Sequence, residues 1–169
     1  MIKTKRIYLR KFTMDETGLL FQLDGDADVM KYITLGIPRT MNEVIEKSMP
    51  RILQSYQDKS DFGIFAAYLI NSDEYIGWFQ FEKDKEFEDS IEIGWRLKKQ
   101  YWGNGYATEV AIVLCELGIK MGKTIVARAM VENLASIRVM EKAGLKFEKK
   151  FWYPHSSSPD VLYKRSLIT

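Results

Sequence analysis

The stretch Gln100-Tyr101-Trp102-Gly103-Asn104-Gly105-Tyr106-Ala107 decides how this chain is read. It lies between an alternating, strand-like segment at residues 90–97 and a helical pattern that begins at Ala107. Two glycines one residue apart, at a strand-to-helix turn, let the backbone curl until successive N–H groups aim at one spot. The helix that follows adds its own unpaired N–H groups and the positive end of its dipole. The result is a nest for phosphate oxygens that uses no charged side chain. The plain alternative is a tight connection with no ligand, and only the rest of the chain separates the two.

Two common phosphate motifs do not match. A P-loop needs Gly-Lys-Ser/Thr at its end, whereas Gly105 is followed by Tyr106 and Ala107. A dinucleotide fingerprint needs a glycine or alanine where Thr108 stands. The acidic residue it also needs after the next strand is present as Glu132, so that reading is weakened rather than removed.

Composition sets the class. A chain of 169 residues, 46% hydrophobic and 13% aromatic, is expected to form one globular domain over residues 1–169. Its formal net charge of +2 gives no reason to expect bulk nucleic-acid binding. The Lys98-Lys99 and Lys149-Lys150 pairs read as solvated strand ends. Cys115 is the sole cysteine and falls in the apolar run of a helix, so it reads as a small buried hydrophobe. His155, the sole histidine, sits in a Pro/Ser-rich loop and cannot build a histidine metal site by itself. No apolar run reaches membrane-spanning length. A cytoplasmic, metal-free protein that binds neither membrane nor nucleic acid is expected.

Outward from the glycine turn, the pattern runs as follows. Residues 7–12 alternate as a strand, and Thr13-Met14-Asp15-Glu16 is a capping box for a helix to about Leu23. The acidic segment Asp24-Gly25-Asp26-Ala27-Asp28 follows. A second capping box, Thr40-Met41-Asn42-Glu43, opens a helix that Pro50 should kink or divide. Residues 62–70 and 75–81 read as strands, and the charged run 82–89 as a solvated hairpin loop. In residues 90–97, Ile91, Ile93, Trp95 and Leu97 share one face. Apolar residues then recur at helical spacing as far as Met121, and Gly122 closes that helix. A strand at 124–131, a short helix ended by Gly144, and strands at 146–153 and 161–168 complete the chain. Runs of strands with two covering helices late in the chain predict an α+β fold on a mixed sheet.

The segment from Ile91 to Gly144 resembles the acyl-CoA-binding half of the GNAT N-acetyltransferase superfamily, most of all the branch that contains the ribosomal-protein alanine N-acetyltransferases. The family's Gln/Arg-x-x-Gly-x-Gly/Ala signature is matched by Gln100-Tyr101-Trp102-Gly103-Asn104-Gly105. Glu92-Ile93-Gly94-Trp95 matches the branch's preceding strand, and residues 101–109 continue its Tyr-Trp-Gly-x-Gly-Tyr-Ala-Thr-Glu run. Asn133, Ser136, Val139, Glu141, Lys142 and Gly144 match a later motif, with Leu145 in place of its usual phenylalanine. The opening residues 4–10 also resemble the branch's first strand, so the likeness spans almost the whole chain.

The resemblance implies a mostly antiparallel mixed sheet of about seven strands with helices on both faces. It implies acetyl-CoA as co-substrate, with the pyrophosphate in the nest of Gln100, Trp102, Gly103, Asn104, Gly105, Tyr106 and Ala107. The pantetheine arm is expected to pair with the strand at Trp95, Arg96 and Leu97, where backbone N–H groups face the thioester oxygen. Gly94 is expected either to permit a bulge in this strand or to pack beneath an aromatic. Asn133 is expected to bind a pantetheine amide, or to serve as a turn residue.

An ammonium cannot attack a thioester, so a base is needed. Glu92 is the first candidate, on the face opposite Ile91 and Ile93, ahead of Glu82 and Glu109; an ordinary polar position on a strand is its alternative. Many family members place a proton-donating tyrosine seven residues after the asparagine, where this chain has Met140. Ser136 is the candidate acid in its place, or else a helix cap. Direct attack in a ternary complex is implied, without a covalent nucleophile.

The acceptor amine is left open. Residues 23–40 and 153–160 are expected to shape its groove, with Asp24, Asp26 and Asp28 either attracting a cationic amine or simply solvated. A protein N-terminus is slightly favoured over an aminoglycoside, a polyamine or a small metabolite. A catalytically weak acyl-CoA sensor and a binding adaptor are the competing functions, and a homodimer is compatible with the pattern.

Overall fold

A computed structural model of the protein describes residues 2–56, 61–154 and 158–166. His155 and the end of the last expected strand lie outside them. The described residues form β1 (Ile2–Lys3), β2 (Ile7–Lys11), α1 (Thr17–Asp24), α2 (Ala27–Met30), α3 (Met41–Glu43), α4 (Met49–Gln54), β3 (Gly63–Leu69), β4 (Tyr75–Lys83), β5 (Ser90–Leu97), α5 (Tyr106–Lys120), β6 (Thr124–Met130), α6 (Leu134–Lys142), β7 (Lys146–Phe151) and β8 (Asp160–Arg165). The strand order is β1-β2-β3-β4-β5-β6-β8-β7, eight strands where about seven were expected. β5 and β6 run parallel, while β1 with β2, β2 with β3, β3 with β4, β6 with β8 and β7 with β8 run antiparallel. The mixed α+β class is as expected.

The chain packs as two compact units. One comprises Met1–Glu82 and Trp95–Tyr106, the other Lys83–Gly94 and Ala107–Thr169. In the first unit the core gathers Phe12, Leu20, Leu23, Val44, Met49 and Ile52 against Ile64, Ala66 and Trp78 of the sheet. Removing such side chains from water is the main favourable contribution to folding, about 25 cal/mol per Å² of apolar surface.

Local chemistry explains the helices. The Glu16 carboxylate accepts the Thr13 N–H at 2.9 Å, and a 3-10 turn, Met14–Glu16, leads into α1. At the second box, Thr40 N–H donates to Glu43 at 2.9 Å and Glu43 N–H donates to Thr40 Oγ1 at 3.2 Å. Pro50 has no N–H to give to the preceding turn. The chain nevertheless stays helical, by widening to a π-helical turn over Val44–Ser48 in which Met49 N–H reaches the Val44 carbonyl.

The charged loop before β5 is more than a solvated hairpin. The Asp84 carboxylate accepts N–H groups of Glu86 at 2.9 Å and Phe87 at 2.7 Å, and Arg128 at 2.5 Å. Burial acts to raise the Asp84 carboxyl, but these hydrogen bonds outweigh it and hold it below the ordinary range.

Candidate functional site

In the first unit, the end of β5, Trp95 to Leu97, passes into a 3-10 turn, Lys99–Tyr101. Gly103 and Gly105 then adopt φ values of +77° and +78°, in the left-handed region that only glycine enters freely. Between and around them, the N–H groups of Gly103, Asn104 and Gly105 donate to no group among the described residues. α5 starts at Tyr106 and runs 15 residues. A Cβ at Gly103 would meet nothing within 4 Å, and one at Gly105 only the Arg6 guanidinium at 3.6 Å. The glycines are therefore required by backbone angle rather than by crowding. Free amides at a helix start fit a pyrophosphate.

Trp102 is a correction to the expected set. Its backbone N–H is already donated to the Lys99 carbonyl at 3.1 Å, and its indole N–H to the Leu97 carbonyl at 2.8 Å. It braces the turn and brings no N–H to the nest. Arg6 was not anticipated. Its guanidinium donates to the Asn104 carbonyl at 3.1 Å and lies 4.5 Å from the Tyr106 ring centroid. Nothing in sequence spacing ties residue 6 to residue 104; the only hint was its place in the opening strand motif. Gln100 is exposed beside the nest.

Trp95, Arg96 and Leu97 belong to the same unit as the nest. The Arg96 side chain is not free to take phosphate. It donates to the buried Asp24 carboxylate and stacks 5.0 Å from the Trp78 ring centroid. Gly94 has no positive φ; the special backbone lies at Gly77 of β4, with φ +147°, where a Cβ would sit 2.1 Å from the Arg96 carbonyl oxygen. Ile76 bulges out of the β3 register beside it, and its carbonyl accepts the Lys98 N–H at 2.9 Å. The irregular backbone seen here is that of β4, at Ile76 and Gly77.

The acidic segment is also corrected. Asp24 is 1% exposed and accepts from Arg39 at 3.2 Å and Ser48 at 2.9 Å besides Arg96. Asp26 caps α2 through the N–H groups of Asp28 and Val29, and Asp28 pairs with Lys99 at 2.5 Å. None of the three is a bare carboxylate waiting for a cationic amine, because each is already matched to a donor.

The second unit holds Glu92, Ala107, Asn133 and Ser136. Glu92 accepts from Arg128 at 3.0 Å, and Arg128 also reaches Asp84 and Glu86 at 2.5 and 3.2 Å. Arg128 is thereby a hub for three carboxylates, its ring-side contact being Phe87 at 5.8 Å. Parallel pairing of β5 with β6 covers Ser90 to Glu92 only, so Glu92 closes the paired stretch opposite Val126. The side-chain oxygen of Asn133 accepts the Ser136 N–H at 3.2 Å, which makes Asn133 the cap of α6. The alternative of Ser136 as cap is overturned: it stands in the first turn, and its hydroxyl makes no hydrogen bond among the described residues. Met140, in the position of the missing tyrosine, is buried in the core. Cys115 is fully buried, and burial pushes its thiol up to about 11, so it is no nucleophile. Among the described residues no cluster of His, Cys, Asp and Glu is placed to hold a metal ion, and no helix is long and apolar enough to cross a membrane.

The run of free amides at Gly103, Asn104 and Gly105 thus stands immediately before α5. The family model of the acetyltransferase (GNAT) domain matches residues 6–146, and the chain belongs to that family as an N-acetyltransferase. It is 32% identical over 152 residues to the uncharacterized N-acetyltransferase YnaD of Bacillus subtilis, covering 89% of this chain and 85% of that one. It is 29% identical to the FsC-acetyl coenzyme A-N(2)-transacetylase of Aspergillus fumigatus, over 94% of this chain and 70% of the relative. Among solved structures, the GNAT-family acetyltransferase of Bacillus anthracis superposes with a TM-score of 0.81 at 29% identity, covering 98% of this chain and 97% of the other.

Proposed function

We propose that the protein transfers an acetyl group from acetyl-CoA to a primary amine by direct attack in a ternary complex. The observation that supports this best is the run of free amides at Gly103, Asn104 and Gly105, immediately before α5. In this reading these amides, with those of Tyr106 and Ala107, bind the pyrophosphate, and Arg6 keeps the turn in shape from beneath Asn104. Backbone N–H groups of Trp95, Arg96 and Leu97 hold the pantetheine arm and polarise the thioester carbonyl. The Asn133 amide NH2 keeps its donors for the arm while its oxygen caps α6.

The chemistry needs the amine to lose a proton, its nitrogen to bond to the carbonyl carbon, and the carbon–sulfur bond to break. Glu92 serves as the base, directly or through water, and Arg128 holds its carboxylate in place. Ser136 protonates the departing thiolate with its unengaged hydroxyl. A peptide N-terminus is favoured as acceptor by the likeness of residues 92–109 to the ribosomal-protein branch. The relative from Aspergillus fumigatus supports the donor, since its name gives acetyl coenzyme A as what it uses.

Calorimetric titration with acetyl-CoA, followed by thiol release across a panel of amines, tests the reading. Binding with thiol release from at least one amine is expected. Binding without turnover of any amine would point to an acyl-CoA sensor instead, the reading that the missing tyrosine at Met140 would favour.

A further inference from the structure

The first unit contains a cavity of about 160 Å³ whose lining includes Asp24, Arg39, Lys47, Arg51, Trp78 and Arg96. This volume is below the roughly 300 Å³ at which sites for drug-sized ligands begin, so the cavity suits one group of a substrate. Four cations line it against a single carboxylate. That carboxylate, Asp24, is saturated by Arg96, Arg39 and Ser48. At the mouth, Lys47 and Arg51 keep 72% and 60% of their side-chain surface exposed. Their carboxylate neighbours are loose ones, Glu43 at 4.0 Å and Glu82 at 3.6 Å. Arg96 and Arg39 are both taken by Asp24, so the positive charge the cavity can offer a ligand is chiefly that of Lys47 and Arg51.

We infer that this cavity is an oxyanion subsite, and that the amine acetylated by this protein carries a carboxylate or a phosphate that docks between Arg51, Lys47 and Arg39. The inference rests on the acetyltransferase reading for the amine, because Arg96 links the two places: its side chain lines the cavity while its backbone belongs to the strand assigned to the thioester. An amine anchored by its anion would be presented beside that strand. Polycations such as polyamines and aminoglycosides would meet like charge at the mouth, which costs binding energy.

The test separates the subsite from the donor site. Inorganic phosphate and acetate are titrated calorimetrically into the parent, into the double variant Lys47→Gln/Arg51→Gln, and into Gly103→Val. Both substituted cations are exposed, so melting temperature should hold. Anion affinity is expected to fall at least about tenfold in the double variant, while part of it survives in Gly103→Val. With amines, a peptide beginning Ala-Glu and phosphoethanolamine distinguish carboxylate from phosphate, and spermidine serves as the polycation. The double variant should raise KM for the anionic amine about tenfold with kcat within about twofold, and leave acetyl-CoA affinity unmoved. Unchanged anion affinity in the double variant, or turnover of spermidine in preference to both anionic amines, overturns the proposal. Anion binding that is lost in the double variant, in a protein that fails to bind acetyl-CoA, keeps the subsite and removes the acetyltransferase reading.

Discussion

The side-chain oxygen of Asn133 accepts the backbone N–H of Ser136 at 3.2 Å, so the cap of α6 belongs to Asn133 and the Ser136 hydroxyl stays outside the helix's own hydrogen bonding. This separation makes Ser136 a clean target. Thiolate is a good leaving group, and protonating it should matter less than orienting the amine. Ser136→Ala is expected to lower kcat about tenfold, roughly 1.4 kcal/mol, with no loss of melting temperature. Asn133→Ala, by contrast, should cost about 1 kcal/mol of stability through the lost cap. Steady-state kinetics and thermal melts on the same preparations check both, and full turnover in Ser136→Ala would assign the proton to water.

Gly103 sits at φ +77°, and a β-branched residue there would abandon that angle or hold it at a cost of about 1–2 kcal/mol. Either way the turn that carries the free amides of Gly103, Asn104 and Gly105 changes shape. Gly103→Val is expected to lower acetyl-CoA affinity by at least about a hundredfold, the worth of one or two hydrogen bonds to a charged phosphate. Because a Cβ at this position meets no protein atom within 4 Å, the fold should survive. Calorimetry showing parental affinity in this variant would remove the donor site from the nest.

Glu92 shares Arg128 with Asp84 and Glu86. Glu92→Gln keeps the shape and removes the charge, and Arg128 retains two partners, so stability should change little. Turnover between about pH 6 and pH 9 should fall at least tenfold, with acetyl-CoA affinity held. If turnover across that range equals the parent's, Glu92 only positions Arg128 and another group or water takes the proton.

Glu16 gives a stability prediction with a defined sign. Its carboxylate receives Arg10 at 2.5 and 2.9 Å, and this pairing, followed by the Thr13 N–H, holds it down to about 2 against an ordinary 4.5. A depressed acid stabilises the fold fully above its unfolded value, near 4.5, and loses that contribution as pH falls towards 2. Solvent reaching Arg10 screens the pair, so Glu16→Gln should cost about 1 kcal/mol at neutral pH. Denaturation midpoints at neutral pH and near pH 2 should show the gap between parent and variant closing in acid. A gap of equal size at both would show that ionisation of Glu16 is not what stabilises.

Sequence alone carried the elements whose signals are local. The capping boxes at Thr13 and Thr40, the alternation of β5 and the glycine pair before α5 are short-range patterns, in which each residue acts through neighbours a turn away. For that reason the mixed α+β class, the GNAT likeness and the inert Cys115 could be read directly. What only the tertiary structure decided is where distant groups meet. Arg6 beneath Asn104, Arg96 on Asp24, Arg128 among Asp84, Glu86 and Glu92, and Gly77 under the Arg96 carbonyl join residues remote along the chain. No periodicity encodes such pairs; they follow from strand register and from the need to match every buried charge. The same rule took Asp24 from an exposed acidic segment and made it the buried partner of two arginines.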